Sequence, residues 1–189
     1  MLSHVDLVRG MYFAMDGAPF EVVEHSHMFK GRGSSVMQTK IKNLRTGAVQ
    51  SKTFHAGDQV EEAEVQKVAV TFVYENKGKY VFAQADNPSE RFEFSQQQIG
   101  DDKRFLLPNM VLEGLKFRDE ILGVKLPIKV VVRVKDAPPG VKGDRAQSGN
   151  KTITLETGAE LQAPLFVESG DQIEVNTEKG EYVRRIQKS

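Results

Sequence analysis

Val68-Ala69-Val70-Thr71-Phe72-Val73-Tyr74, then Asn76-Lys77-Gly78, then the return Tyr80-Val81-Phe82, is the stretch that decides the fold. Val68, Val70, Phe72 and Tyr74 recur with period two, the period at which side chains share one face of a strand. A Lys-Gly turn between two such runs makes a hairpin with one half-buried face. The same punctuation recurs at Asp16-Gly17, Thr46-Gly47, Asp119-Glu120, Thr157-Gly158 and Glu178-Lys179-Gly180. Turn signals this regular, with no long segment of helical period, argue for small β-barrels over a helical or α/β fold. Helix is expected only as single turns, for example from Ser95 to Ile99.

Working outward, Glu61-Glu62-Ala63-Glu64 is a polar interruption between two strand-rich blocks, and Leu126-Pro127 precedes the strand run Ile128 to Lys135. Cuts near 64 and 127 divide the 189 residues into 1–64, 65–127 and 128–189. Each part has about 60 residues, the size of one five- or six-stranded barrel. The chain has no cysteine, which excludes a disulfide framework, a thiol nucleophile and Cys-based zinc. Met1-Leu2-Ser3-His4-Val5-Asp6 lacks the pattern of a signal peptide, and apolar runs such as Val130-Val131-Val132 are too short to cross a bilayer. The expectation is a cytoplasmic setting without a membrane partner.

Charge is balanced overall, 26 basic against 26 acidic residues, but it is not evenly spread. Between Glu24 and Asp58 there is no acidic residue, while Lys30, Arg32, Lys40, Lys42, Arg45 and Lys52 all fall there. A one-sign stretch of this length is a local electrostatic footprint, and phosphate is its commonest partner. In its middle lies Lys30-Gly31-Arg32-Gly33-Ser34-Ser35. Glycines on both sides of Arg32 let the backbone take positive φ and project one long side chain from the hairpin. Arginine is planar, permanently charged and able to grip phosphate bidentately or stack on a base. An ordinary loop with a solvated arginine fits the same six residues. The acid-free flanks favour the phosphate reading, because Lys40 and Lys42 on one strand face extend a positive, RNA-contacting surface beneath the tip, together with Arg45 and Lys52.

Other candidates carry less chemistry. His25 and His27 share a strand face, but no third metal ligand is marked nearby, so no metal or cofactor is expected. Asp101 and Asp102 are adjacent and suit a loop or cap better than a paired acid and base. Glu61, Glu62 and Glu64 read as solvated linker. Phe92 and Phe94 read as barrel core before stacking platform. There is no Ser-His-Asp order, Walker loop or dinucleotide fingerprint, so the chain is not expected to be an enzyme.

The last third carries a resemblance. Lys151-Thr152-Ile153-Thr154-Leu155-Glu156-Thr157-Gly158-Ala159-Glu160-Leu161-Gln162-Ala163-Pro164-Leu165-Phe166-Val167-Glu168-Ser169-Gly170 resembles the signature of the bacterial elongation factor P family, with Ile153 where alanine and Ala163 where valine is usual. Pro138-Pro139-Gly140-Val141-Lys142-Gly143-Asp144, Gly180-Glu181-Tyr182-Val183, Lys42-Asn43-Leu44, Thr46-Gly47, Lys52-Thr53-Phe54 and the basic loop extend the likeness over the whole chain.

The resemblance implies a monomeric, L-shaped mimic of transfer RNA, made of an SH3-like (KOW-like) first domain and two OB-fold domains. It implies a ribosome-bound translation factor, seated between the peptidyl and exit sites, whose first-domain loop touches peptidyl-tRNA and ribosomal RNA and relieves stalling at consecutive prolines. The loop tip maps onto Lys30, Gly31, Arg32, Gly33 and Ser34. Arg32 stands where relatives carry a lysine extended by a modifying enzyme, or an arginine that in some bears rhamnose. Those rhamnosylated relatives follow the arginine with asparagine, and Gly33 here favours an unmodified Arg32. Gly143, Asp144 and Arg145 match a Gly-Asp-Thr loop near the messenger, with Arg145 in place of threonine. Gly100 and Asp101 resemble a second-domain Gly-Asp loop. An elongation-factor-P-like paralogue and a general OB-fold RNA-binding protein are the alternatives.

Overall fold

A computed structural model describes residues 1–30, 34–139 and 149–189. They form three antiparallel sheets in series along the chain. The first contains β1 (Leu2–Ser3), β2 (Tyr12–Met15), β3 (Ala18–Lys30), β4 (Ser34–Asn43), β5 (Val49–His55) and β6 (Gln59–Glu62), in the order β1-β6-β2-β3-β4-β5. The second contains β7 (Val65–Asn76), β8 (Lys79–Gln84), β9 (Arg91–Ser95), β10 (Val111–Phe117) and β11 (Glu120–Lys125), in the order β11-β10-β7-β8-β9. The third contains β12 (Lys129–Asp136), β13 (Asn150–Leu155), β14 (Glu160–Pro164), β15 (Gln172–Asn176) and β16 (Glu181–Gln187), in the order β14-β13-β12-β15-β16.

The hairpin read first is β7 and β8, with Phe72 opposite Phe82 and Asn76 opposite Lys79. Lys77 and Gly78 make its turn with φ of 51° and 78°, the two positive values that match the twist of the strands. The alternation holds only as far as Phe72. A bulge between Phe72 and Tyr74 adds a residue and reverses the faces beyond it, so Val70 and Phe72 are buried while Tyr74 is 45% exposed. The turn expected at Asp119-Glu120 falls one residue earlier. Arg118 takes the positive φ of 56°, and Glu120 already opens β11.

Helix is indeed brief. The single turn α1 (Gln96–Ile99) opens on a capping box, in which Gln98 Oε1 accepts from the Ser95 amide at 2.9 Å and Ser95 Oγ accepts from the Gln98 amide. A 3-10 stretch, Gly100–Phe105, follows directly, and another spans His4–Asp6.

Each sheet closes over its own apolar core. Phe82 centres the second, with Phe72 at 5.3 Å, Phe94 at 5.7 Å and Phe92 stacked at 6.0 Å. Phe92 and Phe94 are thus core rings in contact with each other and with Phe82. Apolar packing ties the sheets together at two places. Leu44 and Ala63 pack with Leu115, Phe117 and Leu122 across the first and second sheets. Phe105, from the 3-10 stretch beside the second sheet, is 1% exposed inside the core of the third, among Val132, Ile153 and Val175.

The third sheet also holds a fully buried carboxylate, Asp171. It accepts from the amides of Glu168 (3.0 Å) and Ser189 (2.9 Å) and from Arg185 at 3.3 Å. Burial alone pushes its pKa up, but these donors outweigh burial and hold it below the ordinary carboxylate value. A depressed folded pKa gives stability that is present above the unfolded pKa of about 3.9 and lost as pH falls through the folded value. Asp171→Asn is therefore expected to lower the melting temperature by several degrees at pH 7. The gap from the parent protein should narrow below pH about 4, as read by circular dichroism melts across that range.

Candidate functional site: the hairpin arm and its seat

β3 and β4 form the longest ladder of the first sheet, paired from Phe20 with Asn43 to Lys30 with Ser34. β5 accompanies β4 only as far as Val36 opposite His55. Beyond that pair the hairpin continues alone through Phe29 opposite Ser35 and Lys30 opposite Ser34, so a two-stranded arm leaves the sheet. A bulge between Val22 and Glu24 resets its faces just outside the core. Toward the end of the arm, Met28 is 43% and Phe29 81% exposed. The expected tip residues Gly31, Arg32 and Gly33 lie outside the described residues, as do Gly143, Asp144 and Arg145. Lys30 and Ser34 are fixed by their backbone pairing, which brings the two ends of the loop face to face.

The basic surface expected beneath the tip is not one free face. Lys40 Nζ is 2.8 Å from Glu24 across the ladder, and Arg45 pairs with Glu120 of the second sheet at 2.8 Å. Lys42 Nζ donates to the Gln98 carbonyl at 3.0 Å, and Lys52 lies over the Phe54 ring at 5.6 Å. The acid-free reading counts charge along the chain, whereas Glu24 arrives across the ladder and Gln98 and Glu120 from α1 and the second sheet. Lys42 and Arg45 serve the seat of the arm. The exposed Lys40–Glu24 pair is worth about 1 kcal/mol or less, so Lys40 can exchange that partner for phosphate.

The seat is compact. Gln98, one residue of the α1 capping box, donates from its side-chain Nε2 to the Arg45 carbonyl at 2.8 Å while its backbone carbonyl accepts from Lys42 Nζ. Beside them Gly47, at φ +75°, brings the first sheet so close that a Cβ there would stand 2.5 Å from the Gln97 carbonyl oxygen and 2.6 Å from Gln98 Cα. On the other side of β3, Lys125 Nζ meets Glu21 at 2.5 Å and lies 5.3 Å over the Tyr12 ring. Burial pulls the Lys125 pKa down, but the bonds to Glu21 and Tyr12 outweigh it and raise the value, so the ammonium stays charged. Arg9 reaches Glu178 of the third sheet at 3.5 Å.

Gly100 caps α1, its amide bonding the Gln96 carbonyl, and Asp101 is exposed in the turn that follows. Its neighbour Asp102 faces the seam, where burial raises its carboxyl pKa against the pull of Lys42 and Lys125. Sequence reasoning missed Glu21, Gln98 and Lys125, and read Asp102 only as a loop or cap residue. Glu21 and Lys125 stand 104 positions apart, and no local pattern marks either. His25 Nδ1 accepts from the Arg9 amide at 3.1 Å, and His27 packs on Phe29. No helix among the described residues is long and apolar enough to cross a membrane.

Three small antiparallel sheets in series, each over its own core and the first extended into an arm, define a modular all-β chain with a KOW-like first domain followed by OB-type domains. The family profile described as "Elongation factor P (EF-P) KOW-like domain" matches residues 3–60, and that described as "Elongation factor P, C-terminal" matches 130–185. The chain is 39% identical to elongation factor P of Carboxydothermus hydrogenoformans over 98% of this chain and 100% of that one. It is 40% identical to elongation factor P of Symbiobacterium thermophilum over the same shares. Among solved structures it is similar to eukaryotic translation initiation factor 5A from Methanococcus jannaschii, at 16% identity and TM-score 0.46, covering 66% of this chain and 92% of that one. The chain belongs to the elongation factor P family, and as such is a translation elongation factor.

Proposed function

We propose that this protein binds the ribosome between the peptidyl and exit sites and uses the β3–β4 arm to hold the acceptor end of peptidyl-tRNA in a geometry that favours peptide-bond formation, above all at consecutive prolines. The observation that carries the reading is the ladder that runs on past the last β5 pair to Lys30 and Ser34. A paired arm delivers its loop at a fixed distance and angle, which a free loop cannot do.

The work is positional. Proline is a constrained nucleophile, and holding the reacting ends close converts an entropic barrier into binding energy drawn from contacts elsewhere. No group of the protein forms or breaks a bond in this scheme. Arg32 donates to RNA backbone from the loop tip, Lys40 and Lys52 add charge along the stem, and Gly143, Asp144 and Arg145 lie toward the messenger. The same reading makes the protein a cytoplasmic monomer, with Arg32 the residue on which a modifying enzyme would act.

Synthesis of a triple-proline peptide on purified ribosomes tests this. Addition of the unmodified recombinant protein is expected to raise the rate by at least about tenfold over ribosomes alone, while a proline-free peptide is unaffected. Each tenfold gain corresponds to about 1.4 kcal/mol of barrier. Equal rates with and without the protein, whether recombinant or purified from its native cells, would sink the reading.

A further inference from the structure

Phe29 is 81% exposed, more than Phe166 at 54% or Tyr74 at 45%. It lies on the arm opposite Ser35, one pair before Lys30 and Ser34. One side of its ring leans on the His27 imidazole, with centroids 4.5 Å apart at 43°. His4 meets His27 edge-on at 6.2 Å and 74°, and His4 Nε2 lies 2.8 Å from Ser35 Oγ. His4 of the 3-10 turn, tied to Ser35 of β4, thus meets the His27 imidazole, the imidazole meets the phenyl ring, and among the described residues the opposite side of that ring stays open. A ring fixed in this way loses little freedom when something binds to it.

The chemistry around the ring narrows what binds. Its companions on this face are His27, Ser35 and His4, which are aromatic or polar, so the ring is not the centre of an apolar patch of the kind that docks another protein. Lys30 and Arg32 follow Phe29 within three positions of the sequence, which favours an anionic partner. An open π face beside a cationic loop suits single-stranded nucleic acid, with base on ring and phosphate on charge. We propose that Phe29, held by His27 and His4, stacks on an unpaired RNA base, giving the arm a second point of contact that fixes its rotation as well as its reach. This rests on the reading of the arm as the RNA-facing part of the molecule.

Chemical probing of RNA bases in ribosome complexes holding peptidyl-tRNA tests it, with the parent protein and its Phe29→Tyr, Phe29→Leu and Phe29→Ala variants. At least one unpaired base should lose reactivity with the parent and the tyrosine variant and regain it with leucine and alanine. The half-saturating concentration should rise about tenfold for leucine, which keeps the apolar bulk and removes the π face. Identical footprints and half-saturation for phenylalanine and leucine would overturn the proposal. If alanine alone lost affinity, the contact would be an apolar one to protein. Loss of stacking with triple-proline synthesis still stimulated would leave the functional reading standing, whereas no footprint from the parent protein would remove both.

Discussion

Arg32→Ala is expected to return triple-proline synthesis to the rate of ribosomes without factor, a loss of at least about tenfold, while leaving the melting temperature unchanged within about 2 °C. The two halves have separate causes. An arginine flanked by glycines in a hairpin loop is expected to sit in solvent, and surface changes of that kind stay within about 0.5 kcal/mol. In the proposed function the activity depends on a planar, permanently charged group at the end of the arm, and one charge-assisted contact is worth about 1.5–3 kcal/mol, enough to cover a tenfold change in rate. Arg32→Lys separates charge from shape. It keeps the cation and loses the fork, so an intermediate rate is expected if the guanidinium acts bidentately. Full stimulation by the alanine variant would show that the tip has been assigned to the wrong residue.

Gly47→Ala should produce the second large effect, at a site far from the tip in sequence. The added methyl would stand 2.5 Å from the Gln97 carbonyl oxygen and 2.8 Å from its carbon, backbone atoms that cannot turn aside as a side chain would. Gly47 also has φ +75°, where an L side chain is strained by about 1–3 kcal/mol. Gly17 supplies the control, since it has φ +76° with nothing within 4 Å of a Cβ. Gly17→Ala is expected to show the strain alone, and Gly47→Ala the strain plus a parting of the first and second sheets. That parting breaks the bonds from Lys42 and Gln98 and the Arg45–Glu120 pair together. Faster hydrogen exchange at the seat, with the sheet cores still protected, would report it, and triple-proline synthesis should fall several-fold although the arm is intact. Equal behaviour of the two variants would mean that the close approach at Gly47 does not fix the arm's direction.

The all-β architecture was legible in the sequence because period-two alternation and Gly-bearing turns are local signals. Phe72 opposite Phe82 and the turn at Lys77-Gly78 follow from them directly. The failures are local too. Nothing in Phe72-Val73-Tyr74 announces the bulge that turns Tyr74 outward, and Arg118 took a positive φ that the neighbouring residues did not advertise. For the candidate site the boundary runs between one strand pair and several. The β3–β4 hairpin could be read from neighbours in sequence, while its loop lies outside the described residues. The fate of Lys42 and Arg45 could not, because Gln98 and Glu120 lie 56 and 75 positions away. A run of like charge shows where cations are dense along a chain and is silent about which of them the fold has already engaged.

The seating of Phe105 inside the third core bears on the order in which the molecule is made. A chain grows from its N-terminus, and segments fold as they emerge. When the second sheet is complete, the ring of Phe105 still lacks most of its core, because Val132, Ile153 and Val175 have yet to be synthesised. The nascent protein thus carries a partly uncovered phenyl ring until its last strands leave the tunnel, and the closing of the third sheet hides it. Premature termination after the second sheet would leave that ring partly uncovered, a mark by which quality control could tell an unfinished chain from a finished one.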